Sequence, residues 1–153
     1  MVYLILKLIH IISVILFLGN ITVGIFWKRF AEKNNDPKEI AAAFKGIIKA
    51  DRIFTMPGVI GILIGGFGAA AHGGYPFLST GWILWSIILF IISGAVFMAR
   101  LVPLQKKIYA LASSPNFNLQ EYHSLAKQWE MWGFISMITP WIAVVLMVLK
   151  VPA

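Results

Sequence analysis

Cysteine is missing from all 153 residues, which removes disulfides, iron–sulfur clusters and thiolate-held metal ions from consideration. Acid is scarce: six Asp and Glu stand against thirteen Lys and Arg. Charged residues make up 12% of the chain, where an ordinary soluble domain carries about 25%. The few acids all fall in connections between apolar runs, so no carboxylate pair for hydrolytic acid–base work is expected inside those runs. No phosphate-cradling glycine turn is present either, because the glycines sit within an apolar run at helical spacing. The N-terminus has no basic leader and no small-residue cleavage site, so its apolar run reads as a retained span.

Hydrophobic residues are what the chain does have, at 59%. The longest apolar stretch is Tyr3–Trp27, and Leu8–Trp27 carries no formal charge apart from any proton on His10. Twenty helical residues cover roughly 30 Å, one hydrocarbon core. Further runs at about 53–72, 82–102 and 132–149 bring the expected spans to four. The expected fold is therefore an all-α membrane protein, an up-down bundle of four transmembrane helices with cytoplasmic helical extensions.

The basic residues orient it. The first connection holds Lys28, Arg29, Lys33, Lys38, Lys45, Lys49 and Arg52, and the third holds Lys106, Lys107 and Lys127 with Arg100 at its border. The second, 73–81, holds no charge. Positive residues stay inside, so both termini are expected outside the cytoplasm. The net charge of +7 then reports topology and attraction to anionic lipid, not nucleic-acid binding.

Within the first connection, Asp36-Pro37-Lys38-Glu39 reads as a helix start, with Asp as N-cap and Pro at the first position. Ile40, Ala43, Phe44, Ile47 and Ile48 recur at helical spacing, giving an amphipathic helix over about 37–50, expected on the inner membrane surface and closed by Asp51 and Arg52. Asn118-Leu119-Gln120-Glu121 resembles a capping box that starts the last helix, which Pro140 should kink.

Each span carries a stripe of small or polar residues. In the first it is His10, Ser13, Phe17, Asn20 and Gly24; in the second Gly58, Gly61, Gly65, Gly68 and His72. Two readings of the glycine stripe stand side by side: close helix packing, or a flat macrocycle lying against Gly61, Gly65 and Gly68. A histidine inside a membrane is a functional candidate by default. His10 and His72 both lie towards the outer ends of neighbouring spans. If Lys7 marks the interface, His10 is only ~4.5 Å below it and the pair suits bis-imidazole ligation of haem b, with Ser13 orienting the His10 ring. If the span starts at Val2, His10 is ~12 Å deep, the pairing breaks, and Met147 becomes a possible partner. Copper held by His10, His72 and Met147 is the alternative, though the methionines show no clustered pattern. His123, in the third connection, reads as a solvated residue.

Several motifs agree in order with a known family. Lys7-Leu8-Ile9-His10-Ile11-Ile12 with Gly19, Asp51 with Phe54-Thr55-Met56-Pro57, His72 with Gly74-Tyr75-Pro76, Gly81-Trp82, Tyr122 with Trp129, and Leu146-Met147 with Lys150 resemble a family of bacterial predicted integral membrane proteins of unknown function. That family is similar to the copper-resistance protein D membrane domain and to HemJ-type protoporphyrinogen oxidase. The resemblance implies a haem-binding role for His10, which matches the first-span histidine of the oxidase. The oxidase also uses a lysine shortly after Gly-Trp; here Ile83, Leu84, Trp85 and Ser86 follow. The function expected is a b-type haem protein of the bacterial inner membrane, serving electron transfer or haem handling. Copper transport or tolerance and porphyrinogen oxidation are the alternatives, and whether the chain is an enzyme stays open. The partners expected are the lipid bilayer, a redox partner of unspecified identity, and further copies of the chain in a homo-oligomer.

Overall fold

The computed structural model describes Met1–Ala153 and is helical throughout, with no strand. Its helices are α1 (Val2–Ala31), α2 (Pro37–Ala50), α3 (Met56–His72), α4 (Gly81–Val96), α5 (Val102–Ala112) and α6 (Leu119–Leu149). Two short π-type turns, Asp51–Thr55 and Phe97–Leu101, join α2 to α3 and α4 to α5 without a break. The result is four long rods, Val2–Asn34, Pro37–His72, Gly81–Ala112 and Leu119–Leu149, each long and apolar enough to cross a membrane.

The caps form as their residues dictate. Asp36 accepts from the Lys38 amide at 2.8 Å and starts α2. Asn118 accepts from the Gln120 and Glu121 amides at 2.9 and 3.1 Å and starts α6.

Proline explains the two π turns. Pro57 and Pro103 lack the N–H that a continuing α-helix would need. In each case the residue just before the proline reaches back five residues instead of four. The Met56 amide bonds the Asp51 carbonyl and the Val102 amide bonds the Phe97 carbonyl. Asp51 and Arg52 therefore do not close α2, and α2 does not lie flat as a surface helix. It runs straight on into α3 and buries Ile40, Phe44 and Ile47 against its neighbours.

The rods pair tightly in twos. Antiparallel α1 and α3 meet along the glycine stripe, where a Cβ added to Gly65 would lie 2.7 Å from the His10 amide nitrogen and 2.8 Å from the Leu6 carbonyl oxygen. Antiparallel α4 and α6 meet through serines. Ser93 Oγ donates to the Ser136 carbonyl at 2.6 Å, Ser136 Oγ returns a bond to the Ser93 carbonyl at 3.1 Å, and Ser86 Oγ reaches the Ala143 carbonyl at 3.3 Å. The Ser136 carbonyl is the one that Pro140, four residues on, cannot serve, so Ser93 fills the gap a proline leaves and α6 continues through it. Phe17 and Phe90, with ring centroids 5.7 Å apart, bridge α1 to α4.

The bundle has two unlike ends. At the end carrying both termini, large apolar side chains point outward, among them Leu8, Ile12, Ile15, Ile64, Ile91 and Val145. An outer surface of that kind belongs in lipid. At the opposite, basic end, α2, α5 and α6 enclose a core of Ile40, Phe44, Leu104, Ile108, Tyr122 and Trp129. There Lys28, 3% exposed, joins Glu32 at 2.7 Å and Glu130 at 2.8 Å, while the Tyr122 hydroxyl donates to Glu32 at 2.6 Å. Burial and the neighbouring Glu32 carboxylate push the Tyr122 phenol well above its ordinary range.

Candidate functional site

His10 sits half-buried in the α1–α3 contact, its ring lying against Gly66. Its Nδ1 is 3.0 Å from the Ile62 carbonyl oxygen and its Nε2 makes no hydrogen bond. With a carbonyl as partner, Nδ1 carries the proton and Nε2 keeps its lone pair, the tautomer a ligating imidazole needs. Orientation therefore comes from a backbone carbonyl of the neighbouring helix. Ser13, expected to do it, packs against Gly61 instead.

The structure does not bring His72 to His10. His10 lies level with Gly65 and Gly66, and His72 is six residues further along α3, about 9 Å towards the terminal end. His72 is exposed, with Nδ1 3.0 Å from the Gly68 carbonyl of its own helix. His10 therefore lies further from the terminal end than His72, the arrangement in which the bis-imidazole pairing breaks. The glycine stripe is occupied as well: Gly61 faces Ser13, Gly65 faces the α1 backbone, and Gly68 faces Leu6, whose side chain would lie 3.0 Å from an added Cβ. A macrocycle cannot lie against that face while α1 does. Met147 is half-buried on α6, and nowhere do three His, Asp or Glu side chains gather in a way that could hold a metal ion. His123 is exposed, as expected. For a haem iron, then, the residues offer one fitting donor, His10 Nε2, and no second histidine beside it.

A second constellation was not legible in the sequence. Asp51, assigned there to a connection, is 9% exposed and points into the bundle. Its Oδ1 accepts from Asn20 Nδ2 at 3.0 Å and from Thr55 Oγ1 at 2.9 Å, and its Oδ2 accepts from Gln105 Nε2 at 3.0 Å. Asn20 Nδ2 also reaches Thr55 Oγ1 at 2.9 Å. Three helical rods thus converge on one carboxylate through neutral donors. Asn20 is eight residues before Lys28 on α1, so the carboxylate lies about 12 Å below the ion cluster, within the apolar zone. The signal that was available was the X-Pro pair after it: Pro57 forces the π turn that carries Asp51 and Thr55, and such turns recur at functional sites.

Beside this network lies a cavity of about 470 Å³. Its walls come from α1, α2, α5, α6 and both π turns, and are mostly apolar. Asp51, Asn20, Gln105, Ser136 and the Trp129 indole supply the polar groups. Trp129 is 4% exposed, and its Nε1 is the one buried side-chain polar atom without a hydrogen-bond partner.

No curated protein and no solved structure matches the chain. Four apolar rods with outward-facing hydrophobic surface make this an integral, multi-pass membrane protein. Residues 4–151 match DUF2269, described as a predicted integral membrane protein, and the chain belongs to that family.

Proposed function

We propose that this is a b-type haem-binding protein of the bacterial inner membrane, with His10 as the single histidine ligand and the basic end in the cytoplasm. The observation that carries the reading is the His10 ring, held through Nδ1 by the Ile62 carbonyl with Nε2 left free inside an apolar zone. The α1–α3 seam locks the ring by backbone contact, so little ordering is left to pay for on ligation. A bound haem supplies one-electron chemistry, which suits electron transfer or haem handling. The chain's own part is to present one donor of fixed tautomer and to keep water from it. The seven basic residues of the first connection, against none in 73–81, support the orientation.

The test is a reduced-minus-oxidised visible spectrum of the protein purified from membranes. A sharp b-type α band is expected. It should vanish in His10→Ala with helicity retained and persist in His72→Ala. A colourless preparation, or one carrying stoichiometric copper, overturns the reading. So does a His10→Ala protein with full haem.

A further inference from the structure

The Asp51 cavity takes no part in that reading. It lies level with Asn20, ten residues along α1 from His10, about 15 Å away along the helix. Its physical problem is charge. In all three of its hydrogen bonds the Asp51 carboxylate is the acceptor, as an ionised carboxylate would be. All three donors are neutral, and none of the chain's ion pairs involves Asp51. Asp51 is the only charged side chain lining the cavity. A carboxylate removed from water either takes up a proton or is held ionised by a positive partner, and the chain does not provide that partner.

The rest of the cavity says what sort of cation. A volume of about 470 Å³ is that of a small-molecule pocket rather than of a bare ion site. Its walls are largely aliphatic and aromatic, with Ile21, Ile47, Phe97 and Leu101 among them. Trp129 adds an indole whose ring attracts cations and whose buried N–H still lacks an acceptor. The lining includes Val23, Trp27, Ala42 and Gly46, all exposed, so the cavity communicates with the outside of the bundle beside α1 and α2.

We propose that this cavity is a binding site for hydrophobic organic cations, amines or ammonium compounds that partition into lipid. The positive charge sits against Asp51, and the apolar body fills the space beside Trp129. A ligand that also bears an oxygen acceptor satisfies the Trp129 N–H.

The experiment uses the full chain in detergent and two probes of matched shape and opposite charge, tetraphenylphosphonium and tetraphenylborate, with binding followed by equilibrium dialysis. Saturable binding of the phosphonium and none of the borate is expected. Asp51→Asn, which keeps the side chain's size, should weaken phosphonium binding at least tenfold. Gly46→Leu places bulk on the lining where an added Cβ meets nothing within 4 Å, so it should fold normally and also lose the probe. The proposal fails if the wild type does not bind the phosphonium or binds the borate equally well. It also fails if a folded Asp51→Asn or Gly46→Leu binds with wild-type affinity.

Discussion

The two ends of the bundle solve the same packing problem with opposite means. At the terminal end, α1 and α3 touch backbone to backbone across glycine, and the polar side chains in that seam are the half-buried His10 and the buried Ser13. At the basic end the rods stand apart around Tyr122, Trp129 and Phe44 with an ion cluster between them, and the Asp51 carboxylate and its cavity lie below that cluster, in the apolar zone. The difference follows from the solvent. In lipid, apolar side chains gain nothing by leaving the surroundings for each other, so close van der Waals contact between small residues is what holds helices together. Where water is near, large side chains repay burial and the rods can be spaced more widely. Rigidity and space are thereby separated along one molecule, and the cavity falls on the spacious side.

Breaking the close-packed end should have the largest effect. Gly65→Leu drives a side chain into the His10 and Leu6 backbone, which cannot rotate away, so the loss should reach or pass the upper end of the ~1–3 kcal/mol usual for overpacking. Gly94→Leu is the control, since an added Cβ there meets nothing. Thermal unfolding in detergent should separate the two. Equal stability would mean that the glycine seam is not what holds this end.

A smaller effect is expected at the basic end. Lys28→Met leaves Glu32 and Glu130 facing each other without their shared ammonium. Both glutamates are partly exposed and can rehydrate, so the cost should be about 2 kcal/mol, below that of a fully buried pair. Adding Glu130→Gln should recover part of it. An undiminished melting temperature in Lys28→Met would show that the cluster only decorates the surface.

The smallest effect belongs to the α4–α6 pair. Ser93→Ala removes the donor that serves the carbonyl orphaned by Pro140. Hydrogen bonds between membrane helices average about 0.6 kcal/mol, and a loss near that value is expected. Valine at position 140, which restores the backbone donor, should make Ser93→Ala nearly neutral. A full Ser93→Ala penalty in the Pro140→Val background would uncouple the serine from the proline.

The sequence by itself determined what depends on neighbours along the chain. Four apolar runs of spanning length, the caps at Asp36 and Asn118, and a small-residue stripe on each span are local patterns, and each formed where its residues lie. His10 as the notable imidazole was legible for the same reason, since a polar ring in an apolar run stands out. Only the tertiary structure decided which surface meets which. Periodicity says that Gly61, Gly65 and Gly68 share a face, but not that α1 fills it. It marks His10 and His72 as members of two stripes without setting their relative depth, which the antiparallel register of α1 against α3 fixes. Asp51 shows the point best. A π turn adds one residue to the helical repeat and so turns the following face by about 100°. That turn lies after Asp51, which keeps the face of Ile40, Phe44 and Ile47; what the local pattern hides is that α2 runs on into α3 as one rod and so buries that face. In the folded chain Asp51 faces inward, where Asn20 and Gln105 from distant parts of the sequence supply donors that no local pattern could announce.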